Sequence, residues 1–162
     1  MFSDNGRIQI APYQEQRMKP GLIFVCTSNT CRSPMGMGFA LDLFSNELGF
    51  VWSRSISTDY EPENSPANRN AVAVMKNSYK IDISDHRSTL LSSSDINQAS
   101  YLICVSKRHA AFIQEKFPNE SKDKLVCFHN DIADPWNQEL PVYEKCAADL
   151  QSAVRKIIPS LL

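Results

Sequence analysis

No stretch of this sequence stays apolar for anything near the roughly 20 residues that cross a bilayer as a helix. Its first 20 residues are polar and interrupted, without the apolar stretch of a secretory signal. The expectation is a soluble, cytoplasmic chain with no membrane partner. An excess of charge is lacking too: 17 Lys and Arg stand against 18 Asp and Glu, a formal net charge of −1. With no overall basic field, nucleic acid is not an expected partner and any anion site has to be local. The five cysteines (Cys26, Cys31, Cys104, Cys127, Cys146) are odd in number, which argues against a disulfide framework and for thiol chemistry. Closely spaced metal ligands are scarce: only Cys26 and Cys31 are near each other, and His86, His109 and His129 are scattered, so no metal and no other cofactor is expected. There is no internal repeat, and Ser88 to Ser94 reads as a serine-rich loop.

What is present is enough for one domain: 162 residues, 43% of them hydrophobic, can bury a substantial core. Residues 1–20, ending in Lys19-Pro20, show neither helical nor strand periodicity and read as an N-terminal extension to a domain over 21–162. Gly21 to Cys26 is a short, almost continuous apolar run, the pattern of a strand buried on both faces of a parallel sheet. Tyr101 to Val105 and Lys124 to Phe128 share that character, and Val51 to Thr58 alternates as a half-buried strand does. Helical spacing is predicted over about 34–48, 66–79, 107–117 and 141–158. Strands alternating with helices predict an α/β fold, a three-layer, doubly wound, parallel four-stranded sheet whose ligand lies beyond the carboxyl ends of its strands. Cys26 falls at such an end.

From Val25 to Pro34 a strand end runs into a small polar loop and then a helix, with proline in the first turn where its missing amide proton is not needed. Loop amides and the helix N-terminus can converge there on a phosphate, and Arg32 adds a planar charged fork matching two phosphoryl oxygens. The same field favours a thiolate at Cys26, the form that attacks phosphorus, and Ser33 is placed to hydrogen-bond it. By itself a cysteine before an arginine is a weak pattern; its position across a strand–loop–helix junction is what strengthens it.

The segment Phe24 to Pro34 resembles the phosphate loop of the low-molecular-weight protein tyrosine phosphatases, which reads V-C-x-G-N-x-C-R-S-P. Asp134-Pro135, alone only a turn, is similar to that family's late acid motif, and Asp85-His86-Arg87-Ser88 to its mid-chain histidine segment. The likeness covers about Leu22 to Ile158. It implies Cys26 as nucleophile, Arg32 as ligand of the phosphate and transition state, and Asp134 as general acid and then base. It also implies phosphate binding by Thr27, Ser28, Asn29, Thr30, Cys31 and Ser33. Asn29 is implied to hold the loop's shape with help from His86 and Ser57, and Cys31 to be able to trap Cys26 in a reversible disulfide. The implied partner is a phosphorylated protein, met by a monomer or weak dimer. Arg32 and the amides supply the positive charge that a metal would otherwise bring.

Three departures stand out. Ser28 replaces the usual loop glycine, predicting backbone strain at that position. Gly36 and Gly38 fall where alanine and glutamate are usual and are expected to weaken the helix by about 1 kcal/mol each. The segment from Ser55 to Thr58 lacks the family's glycine. Together they predict reduced catalytic vigour with the fold kept. For the substrate, Trp136 and Tyr60 are either walls for an aromatic phosphoester or simply packed side chains. Thr30 resembles the corresponding residue of bacterial protein-arginine phosphatases. Phosphotyrosine is ranked first and phosphoarginine second, with arsenate reduction and a non-catalytic phosphate-binding module behind them. Arsenate reductases of this fold that depend on thioredoxin need a further cysteine pair on a mobile segment, whereas Cys104 and Cys127 read as buried strand residues. Lys107-Arg108 and Lys122 to Lys124 read as solvating clusters.

Overall fold

The computed structural model describes residues 19–162, so the N-terminal extension expected over 1–20 lies outside the described residues apart from Lys19 and Pro20. The central strand, β1 (Leu22–Cys26), is buried at every position, as its unbroken apolar run requires. It pairs in parallel with β2 (Val51–Ser55) on one side and β3 (Tyr101–Cys104) on the other. β4 (Leu125–Cys127) extends the sheet beyond β3, giving the order β2-β1-β3-β4. β2 lies at the edge and shows the burial alternation read from its sequence.

Helices cover both faces. They are α1 (Arg32–Phe44), α2 (Arg69–Tyr79), α3 (Ser93–Gln98), α4 (Lys107–Lys116) and α5 (Leu140–Ile157), the last continuing into a 3-10 turn. Strand periodicity divides the core between the faces. Leu22 and Phe24 of β1 join residues of α1, α2 and α5, while Ile23 and Val25 join Ile96 of α3 and Ile113 of α4. The expected three-layer, doubly wound architecture is therefore present, with the phosphate loop after β1.

Several element expectations need correction: α1 ends at Phe44 rather than near residue 48, and β2 at Ser55 rather than Thr58. The serine-rich loop contains α3, started by a capping box in which Ser92 accepts from the Asp95 amide and Asp95 accepts from the Ser92 amide. The expected helix from residue 66 begins only at Arg69, because Asn68 caps it by accepting from the Asn70 amide at 2.8 Å.

The unusual glycines of α1 also have a packing reason. A Cβ on Gly36 would sit 2.8 Å from the Phe24 ring, so the missing side chain lets the helix lie directly on β1. At Gly38 the nearest neighbours, at 3.1–3.3 Å, are side-chain ends of Met75, Ile81 and Ile83. Close approach accompanies the local weakening expected from propensity.

Candidate active site

The loop from Cys26 to Arg32 turns sharply between β1 and α1, and all seven residues are buried. Its left-handed residue is Asn29, at φ 61°, and not Ser28. This corrects the strain expected at Ser28: the positive φ falls on an asparagine, which tolerates it better than other non-glycine residues. Asn29 is then held from every side. Its Nδ2 donates to Ser33 Oγ at 2.7 Å and Ser53 Oγ at 2.9 Å, and its Oδ1 accepts from the Thr89 amide at 2.9 Å. Its backbone carbonyl accepts from His86 Nε2 at 2.8 Å. That bond assigns the His86 proton to Nε2, and burial holds the ring's pKa below its ordinary value.

Ser53 occupies the supporting position expected of Ser57. Ser57 instead uses its amide to donate to Thr27 O at 3.1 Å, and its hydroxyl accepts from the Asp59 amide. The physical reason is where the strand ends: Ser53 is buried within β2 beside β1, whereas Ser57 lies beyond its last residue, Ser55.

Loop carbonyls are consumed from outside. Cys26 O and Thr27 O accept from the Ile56 amide, Thr27 O also from Ser57, and Thr30 O from Asn68. None of the amides from Thr27 to Arg32 donates to an acceptor among the described residues. They are the donors the loop has for an oxyanion.

Cys26 sits at the mouth of this cradle. Ser33 Oγ lies 2.9 Å from its sulfur and the Ser33 amide donates to it at 3.3 Å. Since Ser33 Oγ already accepts from Asn29, its own proton is free for the sulfur. Cys31, by contrast, contacts Tyr143 Oη at 3.4 Å, and burial pushes its thiol up to about 11.

Arg32, only 3% exposed, donates from Nη1 to Ile132 O at 3.0 Å and has Nη2 3.4 Å from Asp134 Oδ2. Ile132 also donates its amide to Val105 O, so the segment after β4 is tied both to the end of β3 and to the arginine. Asp134 Oδ1 accepts from the Trp136 amide at 3.0 Å, which orients the carboxylate at the rim. Trp136 and Tyr60 stand 5.8 Å apart, ring centre to ring centre, with planes inclined by 60°, and Trp136 Nε1 donates to Glu61 Oε1.

One cleft of about 230 Å³ joins these groups: Cys26, the loop, Arg32, Asp134, Tyr60 and Trp136 all line it. Asn29 and Ser33 lie behind the loop, and His86 and Ser57 outside the lining. Arg108 also lines the cleft, contrary to its reading as a solvating residue. Its Nη2 donates to Thr27 Oγ1 at 2.8 Å, and His109 Nε2 lies 2.9 Å from the same oxygen. Sequence reasoning also passed over Thr89, Ser106 and Tyr143. The signal for Arg108 and His109 was their place directly after β3, at a strand's carboxyl end. Cys104 and Cys127 are register neighbours within the sheet, the first buried and the second half-buried.

The profile described as low molecular weight phosphotyrosine protein phosphatase matches residues 21–162. The protein-arginine-phosphatase of Geobacillus stearothermophilus is 31% identical over 147 residues, covering 86% of this chain and 95% of that one. A probable low molecular weight protein-tyrosine-phosphatase of Ralstonia solanacearum is 26% identical over 145 residues, covering 86% and 94%. Among solved structures, the low molecular weight protein tyrosine phosphatase from T. tengcongensis superposes with a TM-score of 0.78 at 32% identity, covering 87% of this chain and 99% of that one.

Proposed function

Because the chain belongs to the low molecular weight phosphotyrosine protein phosphatase family, a family of phosphoric monoester hydrolases, we propose that it hydrolyses phosphotyrosine in proteins through a phosphocysteine intermediate. The observation that carries the choice of substrate is the Tyr60–Trp136 pair beside Asp134 at the cleft mouth, two flat apolar faces next to a proton donor. With ring centres 5.8 Å apart the two are packed on each other, and together they form an aromatic rim past which a phosphorylated phenol reaches Cys26.

In this reading the phosphoryl oxygens take the loop amides and the Arg32 guanidinium, which turns from Asp134 to the incoming dianion. Asp134, released by Arg32, takes up a proton from water; Cys26 sulfur then attacks phosphorus, the bond from phosphorus to the phenolic oxygen breaks, and Asp134 gives that oxygen its proton. Water then attacks the phosphocysteine and loses a proton to Asp134, and the sulfur–phosphorus bond breaks to release phosphate. Ser33 stabilises the sulfur both as nucleophile and as leaving group. Asn29 and His86 act by positioning the loop.

A second reading, protein-arginine phosphatase, is favoured by Thr30 in the cleft lining and by the relative of that name. The chemistry at sulfur is the same. The test is turnover of a small aryl phosphate by the reduced protein, followed by phosphotyrosine and phosphoarginine peptides. Cys26→Ser is expected to abolish turnover, and Asp134→Ala to lower kcat by about 10²- to 10⁴-fold, the usual span for a general acid. A higher kcat/KM on phosphoarginine would move the assignment to the second reading, and turnover surviving in Cys26→Ser would sink both.

A further inference from the structure

We propose that Arg108 is a specificity-determining residue that receives a carboxylate flanking the phosphorylated tyrosine, so that acidic phosphotyrosine segments are the preferred substrates; this rests on the phosphatase reading above. Arg108 is the second residue of α4, immediately beyond the carboxyl end of β3, and lines the cleft with Cys26, Asp134 and Trp136. Its aim is set from behind. Thr27 Oγ1 accepts from Arg108 Nη2 at 2.8 Å and lies 3.5 Å from Arg32 Nη2, so its own proton goes to His109 Nε2. His109 in turn holds Ser106 Oγ at 2.7 Å through Nδ1.

This network orients Arg108 without neutralising it. Thr27 and Ser106 carry no charge, and His109 is the neutral tautomer with its proton on Nδ1. Burial, with Arg32 and Arg108 nearby, pushes its pKa down to about 3. Among the described residues Arg108 forms no ion pair, and one of its five N–H groups is engaged, on Thr27. In the free site Asp134 pairs with Arg32, and with substrate bound it serves the leaving oxygen as proton donor; Glu61 accepts from the Trp136 indole. A phosphate monoester filling the cradle takes Arg32 and the loop amides. The second guanidinium is left facing whatever lies beside the phosphorylated residue, and its planar fork suits a carboxylate.

The experiment compares three phosphotyrosine peptides that differ only in having Glu, Ala or Lys flanking the phosphorylated residue. The unsubstituted protein is expected to favour Glu over Ala by about three- to fivefold in kcat/KM, as an exposed charge pair supplies. The difference should lie in KM, because the contact is the same in ground and transition states, and should shrink in about 0.5 M salt. Arg108→Ala should bring the Glu-to-Lys ratio towards one, Arg108→Glu should invert it, and Arg108→Lys should retain part of it.

A general loss of phosphate binding would instead raise KM equally for all three peptides in Arg108→Ala, and that result overturns the proposal. So does an unchanged ratio in Arg108→Glu. Binding of the same peptides to Cys26→Ser protein separates the two readings. A flank preference in binding, without turnover by the unsubstituted protein, removes the phosphatase reading and keeps Arg108. Turnover without any flank preference does the reverse.

Discussion

At the scale of single residues, the cleft depends on side chains that do not line it. Asn29 commits both side-chain polar atoms and its carbonyl to four partners drawn from α1, β2 and the segment around residues 86–89, and so holds a left-handed turn that points amides inward. His109 does comparable work behind Thr27, and its burial as a neutral ring ties stability to pH. Its folded pKa of about 3 lies below the ordinary 6.5. Between those values the unfolded chain binds the proton that the folded one refuses, so stability rises with pH. The contribution is complete above about 6.5 and is lost as pH falls towards about 3, at no more than about 1.4 kcal/mol per pH unit from this one group. Urea unfolding from pH 4.5 to 7 should show this slope, and His109→Asn should flatten it. Equal slopes in the two proteins would mean that the ring is not held neutral.

At the scale of elements, α1 and β1 are fitted together by a missing side chain. In Gly36→Ala the gain in helix propensity, about 1 kcal/mol, meets a methyl placed 2.8 Å from the fully buried Phe24 ring. Overpacking of this kind costs about 1–3 kcal/mol, so the net expectation is destabilisation by up to about 2 kcal/mol, with the loop's mount displaced as well. Gly38→Ala meets only methyl ends at 3.1 Å and beyond, which can shift, and should stay within about 1 kcal/mol of neutral. Chemical denaturation of the two variants checks the contrast. If Gly36→Ala proved the more stable, close packing would not be the reason for that glycine. The loop before α3 has its own logic: Asp95 closes the capping box with Ser92 and pairs with Arg54 of β2 at 2.9 Å, joining a short helix to the sheet edge.

For the whole molecule, the cleft collects one contribution from beyond each strand. β1 leads into the phosphate loop, the segment after β2 carries Tyr60, β3 leads to Arg108, and the segment after β4 carries Asp134 and Trp136. An oxyanion bound there should therefore brace the chain as a unit. Inorganic phosphate at about 100 times its Kd is expected to add about 2.7 kcal/mol, raising Tm by about 5–10 °C for a chain of this size. Arg32→Ala should lose most of that shift in a thermal scan. A shift of full size in that variant would place the phosphate elsewhere. Among the described residues no helix is long and apolar enough to cross a membrane.

Much of what depends on neighbours along the chain was legible in the sequence, although α3 and its Ser92–Asp95 capping box begin where the sequence reads as a serine-rich loop. The buried run of β1, the proline-marked start of α1, and the juxtaposition of Cys26, the loop and Arg32 all follow from contiguous residues and backbone periodicity. The parallel sheet follows from the alternation of strands with helices, because such strands need crossovers. Only the tertiary structure decided which distant residues meet that loop. Ser53 rather than Ser57 supports Asn29 from 24 positions away, Thr89 reaches it from 60, and Arg108 meets Thr27 from 81. The left-handed residue is Asn29 and not Ser28 because external donors draw the loop's carbonyls outward. Local pattern reports backbone preference and burial, whereas a hydrogen bond between remote segments depends on the register and packing that bring them together.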